Sequence, residues 1–177
     1  MARAPDRFEG KWWARGTGMG PLSMLPRGAL SLLREAARHL LRRPVIGSAA
    51  AARTVDGRWL LVRRADTGTW ALPGGTLEWG ETLRTSLARE LEEEAGVTRL
   101  DIVRVVGVYS RPDRDVRFHG VTVVALCTID VPARPPRNPL EIREARLFAD
   151  HELPGELAFG MSDMLNAARQ GGEAILE

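Results

Sequence analysis

Six glutamates, Glu78, Glu81, Glu90, Glu92, Glu93 and Glu94, follow the stretch Trp70-Ala71-Leu72-Pro73-Gly74-Gly75. At about 100° per residue on a helix, Leu83, Leu87 and Leu91 lie within about 80° of one another, and Glu90, Glu93 and Glu94 fill an adjoining arc of about 100°. One side packs and its neighbour is anionic. Like charges at i, i+3 and i+4 cost an isolated helix a few tenths of a kcal/mol per pair, about the size of one favourable surface pair, so a compensating charge is expected. A solvated acidic face is the plainer reading of such a run. A divalent cation is the functional one. Mg²⁺ takes oxygen ligands, keeps several waters and binds through one or two carboxylates plus substrate phosphates. It orients phosphate oxygens and lowers the pKa of bound water. Gly74 and Gly75 allow the backbone to approach a ligand closely and to aim a carbonyl at such an ion.

A second stretch, Arg111-Pro112-Asp113-Arg114-Asp115-Val116-Arg117-Phe118-His119, places arginines and a histidine in a turn-rich loop. Guanidinium groups grip phosphates through paired charge-assisted bonds, and a polar hairpin loop is the alternative. Trp59, Trp70, Trp79 and Tyr109 are candidates for stacking on a nucleobase, or for core packing. Cys127 is the single cysteine and sits in an apolar run, so it reads as an inert, buried strand residue.

The elements that must position these groups follow from periodicity. Ile46 to Arg53 and Arg58 to Arg64 read as a β-hairpin turned at Asp56-Gly57. Ile102 to Tyr109, Val121 to Ile129 and Ala145 to Phe148 read as further strands, with helices over Glu81 to Ala95 and near Ser162 to Arg169. Strands and helices mix without regular βαβ alternation, so an α+β or α/β mixed sheet with flanking helices is expected. With 177 residues, 44% hydrophobic and 27% charged, the chain fits one domain with an extension. No apolar run is long enough to cross a bilayer. The charged start offers no secretion signal, so the cytoplasm is the expected compartment.

The net charge of +2 hides an asymmetry. Met1 to Val45 holds nine basic and three acidic residues, net +6, leaving −4 for the rest. Lys11 is the only lysine among 25 basic residues, which looks like codon bias, so basicity alone argues little for nucleic acid. Residues 1–44 read as an irregular basic arm followed by an amphipathic helix from Gly28 to Arg43, and residues 45–177 as the main domain. The helix suits packing on that domain or on a dimer mate better than a membrane surface.

The spacing Gly75, five residues, Glu81, seven residues, Arg89-Glu90-Leu91, one residue, Glu93-Glu94, one residue, Gly96-Val97 resembles the Nudix box with no invariant position missing. The resemblance extends from about Val45 to Arg169. It implies a mixed β-sheet sandwiched between α-helices, and hydrolysis of the pyrophosphate bond in a nucleoside diphosphate linked to another moiety. Mg²⁺, or Mn²⁺ as the alternative, is the implied cofactor. By the same resemblance Glu93, Glu94 and the Gly74 carbonyl are metal ligands, and Glu90 is a ligand or the general base. Arg89 and Glu93 are an i, i+4 pair, so Arg89 is expected to hold that ligand carboxylate, unless the two form only an exposed ion pair. Glu81 acts through water or by neutralising Arg89, unless it is simply a first-turn glutamate that suits the helix dipole. Either Glu141 or Glu144 completes the site. Arg111, Arg114 and Arg117, with Trp70 and Trp79, are the expected substrate contacts.

Pro112 and Leu157-Ala158-Phe159 resemble the ADP-ribose and nucleotide-sugar group, although Gly160-Met161 replaces its frequent Asp-His. Trp70 to Gly75 with Trp79 also resembles members that cleave (deoxy)nucleoside triphosphates. A homodimer is an expectation by analogy. A non-catalytic nucleotide-sensing module would bring a degraded box or an added DNA-binding domain, and neither appears.

Overall fold

The computed structural model describes residues 43–177, of which Pro44–Glu177 form a compact unit. The basic arm and the helix expected up to Arg43 lie outside the described residues, apart from Arg43 itself. Strands β1 (Val45–Thr54) and β2 (Trp59–Arg64) form the expected hairpin. Its turn is closed by Thr54 N–H donating to the Arg58 carbonyl at 2.9 Å. Then come β3 (Trp70–Ala71), β4 (Gly74–Thr76), helix α1 (Leu83–Ala95), β5 (Leu100–Tyr109), β6 (Gly120–Ile129), β7 (Ile142–Phe148), helix α2 (Met161–Gln170) and β8 (Ile175–Leu176).

The sheet is mixed, with order β3-β2-β1-β6-β5-β8, while β4 pairs with β1 and β7 with β2. β1 is its hub, parallel to β6 from Val45↔Gly120 to Thr54↔Ile129 and antiparallel to β4. Both faces of β1 are covered, which explains its run of four alanines. Ala49 and Ala51 join a core with Val106, Val124, Met164, Leu165 and Ala168, and so face α2. Ala50 and Ala52 join Leu87, Leu91, Ala95, Ala125 and Cys127, and so face α1. Alternation along one strand thus builds two cores, and the helix-sheet-helix sandwich follows. Cys127 is buried as expected, and burial pushes its thiol up to about 12.

α1 starts two residues later than the periodicity suggests. Thr82 caps it: its hydroxyl accepts from Thr85 N–H at 3.2 Å, and the Thr85 hydroxyl accepts from Thr82 N–H at 2.9 Å. This reciprocal cap satisfies two backbone donors and leaves Glu81 before the helix. At the other end Gly96 adopts φ 65°, and its N–H bonds the Glu92 carbonyl while Val97 N–H bonds that of Leu91. A residue with Cβ is strained in this left-handed closure, so the box glycine has a backbone reason to be there. Among the described residues no helix is long and apolar enough to cross a membrane.

Candidate active site

β4 and α1 lie against each other, and their register sets the site. Ala50 N–H donates to the Pro73 carbonyl and Leu77 N–H to the Ile46 carbonyl, each at 2.9 Å, with Ser48 opposite Gly75 between them. The bonds to β1 therefore fall on alternate residues, and both backbone polar groups of Gly74 face away from β1. Its N–H donates to Glu94 Oε2 at 2.8 Å. Its carbonyl is the one that the box resemblance assigns to a metal. A Cβ at Gly74 would run into the Ser48 carbonyl, and one at Gly75 into the Glu90 carboxylate. Backbone approach demands the glycine at 74, while Gly75 leaves the space that the Glu90 carboxylate occupies.

Arg89 organises the acidic edge of α1. Its Nε and Nη2 donate to the two oxygens of Glu81 at 2.9 and 3.0 Å, and its Nη1 donates to Glu90 Oε1 at 2.9 Å and to Glu93 Oε2 at 3.4 Å. Nη2 also reaches the Thr76 carbonyl at 3.3 Å. The Arg89 bonds hold the Glu81 carboxyl below its ordinary range, and Glu81 in return holds the guanidinium more firmly protonated. Arg89 reaches Glu93 as expected but grips Glu90 more closely, and of the readings open for Glu81 the geometry favours the partner of Arg89, a bidentate one ahead of the helix. The i, i+4 spacing that suggested Glu93 ignored the freedom of a long side chain to reach back along the helix.

Glu94 is 7% exposed, with the Gly74 N–H as its hydrogen-bond donor, and burial pushes its carboxyl up to about 8. Burial also raises Glu90, against the lowering effect of Arg89. The charge of Glu141 adds to both shifts, and Glu141 lines the same pocket as Glu90, Glu93 and Glu94. Glu144 lies elsewhere, on β7 opposite Arg63. Of the two, Glu141 is the one beside the acidic edge.

A buried carboxylate without a charged partner is costly, and a hard cation would relieve it. Glu94, Glu90, Glu141 and the Gly74 carbonyl fit Mg²⁺ or Mn²⁺ in donor chemistry, with Glu93 next to them. Among the described residues, however, no three carboxylates already converge as a ligand group. Glu93 points its oxygens at Arg89 and Arg137.

Glu90 and Glu141 also line a cleft of about 280 Å³ between β4, α2 and the 110–119 loop. Arg114 and Arg117 line it, and Arg111 does not. All three expected phosphate-binding arginines are engaged by carboxylates of the chain itself. Arg117 pairs with Asp115 at 2.6 Å and Asp66 at 3.3 Å. Arg114 pairs with Glu177 at 2.6 Å and donates to the Gly160 carbonyl at 3.0 Å. Arg111 pairs with Glu177 at 3.2 Å and Asp113 at 3.6 Å. The expected stacking tryptophans are also elsewhere. Trp70 packs edge-on against Phe148, with centroids 4.8 Å apart, and Trp79 is fully exposed.

Aromatic groups do reach the cleft: Tyr109, one of the expected stacking candidates, and two phenylalanines whose role the sequence did not signal. Phe118 and Phe159 line it with Arg64 and Tyr109. The Arg117 guanidinium lies 4.7 Å from the Phe159 centroid and 5.4 Å from that of Phe118, and Arg64 lies 5.2 Å from Phe159. Phe159 sits at φ 57°, the only non-glycine with positive φ among the described residues. Such strain concentrates at ligand clamps and costs about 1–3 kcal/mol. Only the aromatic at the end of Leu157-Ala158-Phe159 hinted at it.

A family model described as the NUDIX domain matches residues 44–168. A MutT-like protein of Streptomyces ambofaciens is 51% identical over 61 residues, 34% of this chain and 39% of its own. An ADP-ribose pyrophosphatase of Methanocaldococcus jannaschii is 37% identical over 107 residues, 59% of this chain and 61% of its own. The chain therefore spans less than two thirds of either relative. The crystal structure of a MutT NUDIX hydrolase from Burkholderia pseudomallei superimposes with a TM-score of 0.59 at 30% identity, covering 71% of this chain and 98% of that one. A matching family model over most of the chain, a complete box and the sandwich that positions it place this chain in the Nudix family.

Proposed function

We propose that the protein is a divalent-metal-dependent hydrolase of the pyrophosphate bond in a nucleoside diphosphate linked to another moiety, of ADP-ribose or nucleotide-sugar type. The observation that carries this reading is the continuity of the acidic edge with the cleft: Glu90 and Glu141 belong to both. A diphosphate placed there meets the ion site while its nucleoside reaches the wall of Phe118, Phe159, Arg117 and Arg64. The Methanocaldococcus relative supports the ADP-ribose type.

When bound, Mg²⁺ or Mn²⁺ supplies charge neutralisation for the diphosphate and lowers the pKa of water for in-line attack on phosphorus. Glu93, Glu94, Glu141 and the Gly74 carbonyl hold it. Glu90, half-buried and fixed by Arg89, accepts the proton of the attacking water. Arg89 keeps that carboxylate aimed, and Glu81 keeps Arg89 in place.

The test is product analysis with Mg²⁺ or Mn²⁺ on ADP-ribose, nucleotide sugars, dinucleotide polyphosphates and (deoxy)nucleoside triphosphates, with Glu93→Gln as control. Nucleoside monophosphate plus sugar phosphate is expected. Monophosphate plus pyrophosphate from triphosphates would move the assignment to the triphosphate group. No cleavage by folded protein with either metal would overturn the enzymatic reading in favour of a nucleotide sensor.

A further inference from the structure

The loop joining β6 to β7, residues 130–141, has no part in the family box, yet it places a cation at the acidic edge. Arg137 N–H donates to the Glu93 carbonyl at 2.8 Å, so the loop is pinned to one of the helix-end carbonyls that lack intrahelical partners. From there the side chain folds back over α1. Its Nη1 donates to Glu93 Oε1 at 3.1 Å, and its Nη2 to the two Glu92 oxygens at 3.0 and 3.2 Å. Glu93 Oε2 meets Arg89, so both oxygens of this glutamate face guanidinium groups. Among the described residues, Arg137 is also the one cation lining a pocket of about 170 Å³ whose other walls include Glu90, Glu93, Glu94 and Glu141.

We propose that Arg137 is a gate on the ion site: it holds Glu93 out of the ligand set and yields its place to an incoming divalent cation. The inference rests on the metal-dependent reading above. Its warrant is the conflict between four carboxylates around one pocket and the lack, among the described residues, of three that already converge. Arg89 does not explain that conflict alone, because its contact to Glu93 is the longest of its carboxylate contacts, at 3.4 Å.

Arg137 is built to let go. Its side chain is 59% exposed, and an exposed ion pair contributes little, so exchange is easy. Its bidentate contact to Glu92 survives when Glu93 leaves, so the guanidinium keeps a counter-charge in the loaded state. Arg134, which also bonds Glu92, keeps that carboxylate in position. The arrangement makes Arg137 a positioning residue that acts through Glu93 and sets the affinity for metal.

The direct readout is Mn²⁺ binding by the full chain without substrate, followed by the spin resonance of free Mn²⁺ during titration. Arg137→Gln and Arg137→Ala are each expected to bind Mn²⁺ about 3- to 10-fold more tightly than the unaltered protein, the effect of removing one nearby unit charge at a partly exposed site. Arg137→Lys, which keeps the charge, should return the affinity close to the original. The gap should narrow as salt is raised. Unchanged or weaker binding in the folded neutral variants overturns the gate. Failure of the unaltered protein to bind Mn²⁺ overturns the metal reading itself, and so is told apart from failure of the gate.

Discussion

Two arginine-rich regions border the same cleft and use their charge differently. On α1, Arg89 touches Glu81, Glu90 and Glu93, and Glu90 and Glu93 still line the cleft or its adjoining pocket. In the 110–119 loop, Arg111, Arg114 and Arg117 are tied to Glu177, Asp115 and Asp66, and through Gly160 and Phe159 to the turn before α2. The helix arginine organises reactive groups, and the loop arginines brace the wall. The same residue type beside one cleft thus lies among the carboxylates of the acidic edge in one region, and ties the loop to Asp66, Glu177 and the turn before α2 in the other.

The largest effects should come from the helix side. Glu93→Gln or Glu94→Gln is expected to lower turnover by at least about 100-fold with the circular dichroism unchanged, since each removes a charge from the ion site. Arg89→Ala should lower turnover by about 10- to 100-fold, as losing the partner of a metal-ligand carboxylate commonly does. If Arg114→Ala costs as much turnover as Arg89→Ala, the division between the regions fails. A KM effect with nearly unchanged kcat sustains it.

This division also marks how far the sequence could be read. α1 was legible because a helix turns spacing into position: Leu87 and Leu91 pack, Glu90 and Glu94 face β4, and Gly96 closes the last turn. The hub strand was legible as a strand, but its double-sided burial was hidden by alanines, which carry no clear alternation. The choice of Glu141 over Glu144 needed the start of β7 at Ile142, three residues before the apolar run suggests. The ties of the loop arginines to Asp66 and Glu177 were not legible, because those partners lie 51 and 63 positions away, whereas Asp113 and Asp115 lie within the loop itself. Phe159 was missed for another reason: positive φ in a phenylalanine is imposed by the fold and leaves no local signal.

A pair of aromatic substitutions sharpens the comparison at intermediate size. Phe159→Ala is expected to raise KM about 10-fold by removing the ring on which Arg64 and Arg117 stack, with a smaller change in kcat. Trp79→Ala, at a fully exposed position away from the cleft, should change neither constant. Steady-state kinetics on the best substrate of the panel decides between them. A KM rise in Trp79→Ala alone would return the base platform to the tryptophans.

The smallest effect expected is that of Glu177→Gln, and its pH dependence is its signature. The Glu177 carboxylate accepts from Ser110 and Arg111 N–H at 2.9 Å each and pairs with Arg114, whose bonds bring its carboxyl down to about 2 from an ordinary 4.5. A depressed folded value means that the contact stabilises fully above the ordinary value and fades as pH falls toward the folded one. The variant should therefore melt below the unaltered protein near neutral pH, by no more than about 4 °C for a single ion pair at the surface. The gap should close between about pH 4.5 and pH 2. A gap that stays constant through that window would mean that the brace depends on the shape of the side chain and not on its charge, and the contrast with the charge-driven cluster on α1 would then be stronger.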